Sequence, residues 1–436
     1  MTVYNPKPTP RNIDWFTHAR FGMFIHWGIY SVAARHEWVK QREEISDEDY
    51  QKYFDQFDPD LYDPTSWART AKQAGMKYAV ITTKHHDGFC LWDSRLTEYK
   101  ATNTPAGRDL IRPWVEAFRN EGLNIGFYHS LIDWHHSEFP VDPLHPQRND
   151  HAFREANRDR DIQKYTEYLH GQVREILTDF GTIDILWLDF SYSHEQYEWG
   201  RGKGKEDWQS EKLIAMVREI NPDIIINNRT EISQDIHTPE QFMPRGWFHY
   251  EGEPVNWEAC HTLNGSWGYD RDNLDWKSPQ LLIKMLIDAV SKGGNTLLNV
   301  GPTARGELDQ KAKSILSTVG EWMHSHSRSI YGCSASQHTP PPDCRYTHNP
   351  DTNRLYLHIF DWPLKHLHLP RLKDKIEYAQ LLNDGSEVKI IDIAGKTSSS
   401  LVDLETEERA PDSATLEIPV QKPPVDVPVI ELFLRT

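Results

Sequence analysis

The stretch Ile183-Asp184-Ile185-Leu186-Trp187-Leu188-Asp189-Phe190 decides the fold. Its apolar run reads as a buried strand that stops on an acid. A carboxylate taken out of water must be paired, hydrogen-bonded or neutralised, so an acid here is costly unless it is used. The strands of a parallel barrel present their C-terminal ends to the active face, which makes Asp189 a candidate catalytic carboxylate. An Asp that caps the next helix or turn is the competing reading, and this segment alone does not separate the two.

Outward from this strand, apolar runs and helical patterns alternate. Before it, Ile162, Tyr165, Leu169, Val173, Ile176, Leu177 and Phe180 recur at helical spacing, and Gly181 ends the pattern. Further upstream lie the runs Phe21 to Ile25, Tyr78 to Thr82 and Asn124 to Tyr128, with helical stretches at 64–75 and 109–122. Pro64 at the start and Gly75 at the end bracket the first of these helices. Downstream, helices near 206–220, 279–292 and 309–326 alternate with the strands Ile224 to Asn227 and Leu297 to Val300. Such alternation implies right-handed parallel crossovers. With no glycine-rich phosphate fingerprint, it predicts an irregular, TIM-like (β/α) barrel rather than an open nucleotide-binding sheet. The region 230–275 reads as irregular, so eight perfect units are not expected. The stretch 200–205, rich in Gly and Lys, reads as a mobile surface loop.

The texture changes after Tyr331. Thr339-Pro340-Pro341-Pro342 punctuates the chain, and short alternating runs follow, among them Leu355 to Phe360, Leu367 to Leu369, Val388 to Ile391, Thr415 to Ile418 and Val429 to Phe433. These predict a C-terminal β-sandwich. The expected division is a barrel over 1–335 and a sandwich over 336–436.

The 436 residues include 16 Trp, 18 Tyr and 16 Phe, enough for a large core. The formal net charge of −17 argues against nucleic acid and anionic membrane surfaces as partners. Four cysteines, Cys90, Cys260, Cys333 and Cys344, are too few and too scattered for a disulfide scaffold or a close metal pair. The opening Met1 to Pro8 has no apolar h-region, and no run approaches the roughly 20 apolar residues of a membrane span, so a soluble cytoplasmic protein is expected.

Successive strand ends deliver polar and aromatic groups. They are His26-Trp27, then Lys84-His85-His86-Asp87, His129, Trp187 with Asp189, and Asn227-Asn228-Arg229. One His near an aromatic is usually a satisfied structural residue. Five strands in a row imply a polar pocket. The histidines lack the spacings of a zinc site, and no Ser or Cys sits in a nucleophile elbow, so neither a catalytic metal nor a Ser or Cys nucleophile is expected. Imidazole, Asn and Arg suit a neutral polyhydroxylated ligand, and Trp or Phe can cover the C–H face of a sugar ring. Cleaving a sugar requires a second carboxyl, and retaining enzymes place the pair roughly 5–5.5 Å apart. Glu231, Glu240, Glu251, Glu253 and Glu258 are the candidates. Each, taken singly, reads first as a solvated surface acid.

Five stretches in order resemble glycoside hydrolase family 29, the α-L-fucosidases. They are Phe21 to Gly28, Lys84 to Phe89, Leu186 to Asp189, Gly265 to Tyr269 and Lys292 to Pro302. The resemblance implies a (β/α) barrel with a C-terminal β-sandwich. It also implies a retaining, exo-acting hydrolase that releases terminal α-L-fucose from oligosaccharides or glycoconjugates without a cofactor. It assigns Asp189 as nucleophile and Glu240, in Thr238-Pro239-Glu240, as acid/base, with Glu258 and Glu251 as rivals. It matches His26, Glu37, Trp38, His85, His86, His129, Trp187, Arg229 and Trp267 to sugar-contacting positions; at His129 many relatives have Tyr. Two alternatives remain: a sugar-binding pseudoenzyme on the same fold, and a hydrolase of a related sugar such as an α-L-galactoside.

Overall fold

The structure, a computed structural model, describes residues 13–391 and 412–435; the opening Met1 to Pro8 lies outside them. Seven parallel strands form the first sheet: β1 (Phe21–Ile25), β2 (Tyr78–Lys84), β3 (Asn124–Ser130), β4 (Ile185–Asp189), β5 (Ile225–Ile226), β6 (Glu258–Thr262) and β7 (Asn295–Val300). Their order is β6-β7-β1-β2-β3-β4-β5, so neighbours in the sheet follow the chain except where β7 meets β1. The gap between β5 and β6 is closed by an irregular stave, residues 236–241. Asn227 bridges to Ile236, His237 to Trp257 and Glu240 to Cys260, all in parallel. The His237 N–H donates to Asn256 O over 2.9 Å and the Gln241 N–H to Cys260 O over 3.0 Å. Pro239 has no N–H to give, which keeps this stave from becoming a regular strand.

Alternate residues of each strand point inward. Phe24, Tyr78, Val80, Tyr128, Ile185, Trp187, Ile225, Cys260 and Leu297 share one buried cluster. The Phe24 and Trp187 rings meet 5.1 Å apart although β1 and β4 are not neighbours, so both fill the barrel interior. Two glycines make this filling possible. A Cβ on Gly22 would lie 2.2 Å from the Tyr78 ring, and one on Gly126 would lie 2.7 Å from Val80.

The outer helices are α1 (Pro64–Gln73), α2 (Ile111–Asn120), α3 (Ile162–Thr178), α4 (Ser210–Ile220), α5 (Pro279–Val290) and α6 (Gln310–His326). Several begin where the sequence signals place them. The side chains of Asp63, Asp161, Ser278 and Asp309 accept first-turn N–H groups of α1, α3, α5 and α6. Helix α3 buries Tyr165, Leu169, Val173 and Ile176, the stripe read from its spacing. Among the described residues, no helix is long and apolar enough to cross a membrane.

Beyond α6 the chain forms two antiparallel sheets. One orders β8 (Cys344–Asn349), β9 (Arg354–Ile359), β14 (Val429–Leu434) and β11 (Ile376–Leu381). The other orders β10 (His366–Leu369), β13 (Ala414–Glu417) and β12 (Lys389–Ile391). Leu355, Leu357, Leu369, Leu416, Ile430 and Leu432 form the core shared by both sheets. Pairing with these sheets starts at Ser334, which bridges to His348. The sheets are tied to the barrel by Arg345 Nε on Asp288 Oδ1 at 2.7 Å and by the Trp322 indole N–H on Val427 O at 2.9 Å.

Two expectations are corrected. The region 230–275 holds a regular strand, β6, disguised by its polar sequence Glu-Ala-Cys-His-Thr. The stretch 200–205 is pinned, not loose. Lys203 is buried and ion-paired with Asp142, and a Cβ on Gly202 would lie 1.9 Å from Tyr192 O.

Candidate active site

At the C-terminal ends of the barrel strands lies a small pocket of about 60 Å³. Its wall includes His26, Trp38, His85, His86, Trp187, Asp189, Arg229, Glu240 and Trp267, all expected from the sequence. Phe24, Tyr128, Phe190 and Cys260 complete it.

Asp189 closes β4 with its side chain turned into this pocket. Its Oδ1 accepts from Arg229 Nη1 at 2.9 Å and its Oδ2 from the Tyr128 hydroxyl at 2.8 Å. Burial by itself would push its pKa up. The Arg229 charge, the nearby His86 and these two hydrogen bonds outweigh burial and hold it below the ordinary carboxylate value. The next residue, Phe190, sits at φ +88°, a conformation that bulky residues rarely adopt. This backbone turn puts its ring 5.2 Å from Trp38 and 4.8 Å from His86.

The same guanidinium nitrogen that holds Asp189 stands 2.7 Å from Glu240 Oε2. Two oxygens on one nitrogen can be no farther apart than those two contacts laid end to end. That ceiling on the nearest oxygens is compatible with the roughly 5–5.5 Å spacing of retaining pairs. Arg229 is itself fixed, with Nε on Thr238 Oγ1 at 2.9 Å and Nη2 on Thr238 O at 3.2 Å, and its guanidinium lies 5.1 Å from the Trp187 ring. The irregular stave therefore carries both Glu240 and the anchor of the arginine that pairs it with Asp189. The Glu240 side chain is 39% exposed and the Asp189 side chain 11%, so one acid stands at the rim and the other within.

Three imidazoles line the wall. His26 Nδ1 lies 2.7 Å from Asn299 Oδ1, and His86 Nδ1 lies 2.7 Å from Ser130 Oγ. Burial lowers the pKa of His26 to about 4 and of His86 to about 3, and pushes that of His85 well below its ordinary value. All three are neutral at pH 7 and can each donate and accept. The Trp267 ring lies 5.1 Å from His26.

Two expected contacts lie outside the wall. His129 points out of the barrel, because consecutive residues of a strand face opposite sides. Its Nδ1 is 2.9 Å from Thr83 Oγ1 and its ring is 5.8 Å from Trp92. Its neighbour Tyr128 faces the pocket instead. Glu37 is buried one layer back, where its Oε2 accepts the N–H groups of Trp267 at 3.2 Å and Gly268 at 2.8 Å. It holds the Trp267 loop in place, and burial raises its pKa to about 7.

The rival acids fall elsewhere. Glu231 accepts from the Ser193 hydroxyl and the Lys205 N–H in an outer loop. Glu251 and Glu253 are exposed at a small hairpin. Glu258 is buried beneath the pocket floor, where its carboxyl accepts from the Tyr78 hydroxyl and from Trp187 Nε1 at 3.1 Å. Burial raises its pKa to about 7. Among the described residues, no three His, Cys, Asp or Glu side chains converge as metal ligands would.

A barrel with paired acids at its strand ends and neutral polar groups around them has the form of a retaining glycoside hydrolase. The comparisons agree. The model of the Alpha-L-fucosidase family matches residues 4–328. A solved structure of alpha-L-fucosidase isoenzyme 1 from Paenibacillus thiaminolyticus is 46% identical, covers 97% of this chain and 99% of that one, and superposes with a TM-score of 0.89. The alpha-L-fucosidase of Dictyostelium discoideum is 27% identical over 99% of this chain and 93% of its own. A GH29 alpha-L-fucosidase of Bacteroides thetaiotaomicron, solved as a covalent intermediate trapped with 2-fluoro-fucosyl fluoride, is 26% identical. It covers 100% of this chain and 98% of its own, with a TM-score of 0.82. The chain belongs to the alpha-L-fucosidase family, glycoside hydrolase family 29.

Proposed function

We propose that the chain is a retaining, exo-acting α-L-fucosidase in which Asp189 is the nucleophile and Glu240 the acid/base. The observation that carries this is Arg229 Nη1, in contact with both carboxyls at the mouth of one small pocket. Asp189, held ionised, attacks the anomeric carbon while Glu240 gives its proton to the departing oxygen. Water then attacks the fucosyl ester, Glu240 takes a proton from that water, and Asp189 leaves, so the anomeric configuration is retained. The two acids do not face each other bare, because the guanidinium between them offsets their mutual repulsion. Neutral His26, His85 and His86 serve the sugar hydroxyls, and Trp267 and Phe190 supply apolar surface. Glu37 acts by holding Trp267.

Both acids reach the pocket, which supports catalysis over sugar binding alone. We take 1–335 as the catalytic unit and 336–436 as the sandwich, and terminal α-L-fucosyl groups of oligosaccharides or glycoconjugates as the substrate. The test is hydrolysis of aryl α-L-fucoside beside other aryl glycosides, with the product anomer followed by NMR. Fastest turnover of the fucoside with α-fucose formed first is expected. Faster turnover of another glycoside, or β-fucose formed first, would overturn the reading.

A further inference from the structure

Among the described residues, the exposed aromatic rings are Tyr197, Trp199, Phe242 and Tyr250. All four stand on two loops, one after the strand that ends in Asp189 and one after Glu240. A lone exposed aromatic ring is ordinary, so placement decides which of the four has a use. Trp199 already has a partner, the Arg154 guanidinium 4.2 Å from its ring.

Phe242 is placed differently. On one side Gln241 is tied down, its N–H on Cys260 O at 3.0 Å and its Nε2 on Thr262 Oγ1 at 2.8 Å. On the other side Met243 Sδ lies 3.1 Å from His261 Nε2. The backbone at Phe242 is thus fixed from both directions while its ring stands 54% exposed. The loop then returns toward the start of β6 through a hairpin whose Tyr250 ring lies 4.7 Å from His237, opposite Trp257 and away from the pocket. A ring held on a fixed backbone gives up little conformational freedom when a ligand covers it.

We propose that Phe242 is the platform for the leaving-group sugar. A pyranose lays its flat C–H face on the aromatic ring and keeps its hydroxyls in water. This rests on the reading of Glu240 as acid/base. The proton from Glu240 goes to the departing oxygen, so the leaving group lies on the Glu240 side of the pocket. That side is the open rim, and Phe242 follows Glu240 along it.

The test compares kcat/KM on α-L-fucosyl fluoride, whose leaving group is too small to reach the platform, with kcat/KM on α-L-fucosyl disaccharides ending in galactose or N-acetylglucosamine. Phe242→Ala should lower the disaccharide-to-fluoride ratio about tenfold. Phe242→Trp, which keeps an aromatic face, should restore it. Leu364→Ala, at an exposed position of the C-terminal sheets, should leave the ratio at the wild-type value. An unchanged ratio in Phe242→Ala overturns the platform, as does a wild-type protein that cleaves the fluoride and none of the disaccharides. A wild-type protein inert toward the fluoride would instead refute the fucosidase reading, and the platform with it.

Discussion

Arg229 Nη1 stands 2.9 Å from Asp189 Oδ1. The contact joins two strand ends, and it settles the charge of a carboxylate that burial alone would protonate. The arginine is therefore an electrostatic part of the site as well as a structural one.

Removing that cation leaves burial unopposed, so the Asp189 pKa should rise. Asp189 must be ionised to attack, and the acid limb of the kcat/KM profile should accordingly move to higher pH in Arg229→Met. The maximum should fall by about 10²–10³-fold. A pH–rate profile with its acid limb unmoved would contradict this role.

Tyr128 and His129 offer a paired test of strand facing. Tyr128→Phe removes one donor from Asp189 and should cost about tenfold in kcat, the worth of one hydrogen bond to a charged group. His129→Gln should lower Tm, because His129 is buried against Thr83 and Trp92, and should leave kcat/KM near the wild-type value. Steady-state kinetics and thermal melts of both variants decide it. The reverse pattern would show that the strand is misfaced.

Glu240→Ala should slow natural fucosides far more than aryl fucosides with good leaving groups, because only the former need the proton. Azide should partly restore the variant and yield α-fucosyl azide, since azide attacks the ester from the side that water uses and needs no base. Equal losses on both substrate types, with no azide product, would move the acid/base role elsewhere.

Glu258 titrates inside the barrel. Its pKa is raised from 4.5 to about 7 in the fold, so the native state binds its proton more tightly than the unfolded chain does. Its share of stability is fully present below pH 4.5 and is lost as pH rises toward 7, an effect of roughly 3 kcal/mol. Glu258→Gln keeps the acceptor for Trp187 and cannot ionise. Denaturant melts should therefore show a flatter fall in stability across that pH range than wild type. The raised groups Glu37 and Asp87 keep part of the slope. An unchanged slope would mean that Glu258 is ionised throughout.

Much of this was readable in advance because the physics is local. A buried strand that ends on Asp189 carries its cost in eight residues, and Pro64 and Gly75 bracket the first outer helix. The strand rule also bore on Tyr128: Gly126 and Tyr128 share one face of β3 and His129 the other, and a motif match one residue off selects the wrong face. The stave at 236–241 was not readable. It has no alternation, it contains Pro239, and it is held by single bridges to two strands distant in the chain. Arg229's double contact depends on that stave, so it was hidden too. Strand β6 was masked by Glu258 and His261, polar residues buried where apolar ones are usual. Lys203 misled in the opposite way, because its buried partner Asp142 lies 61 residues away.

The most direct test of the account is to trap the ester. The protein is treated with 2-fluoro-fucosyl fluoride, digested at low pH and mapped by mass spectrometry. A single fluorofucosyl adduct on the peptide that contains Asp189, absent from Asp189→Asn, is the predicted result. An adduct on any other carboxylate, or a protein that turns over aryl fucoside and never carries an adduct, would contradict it.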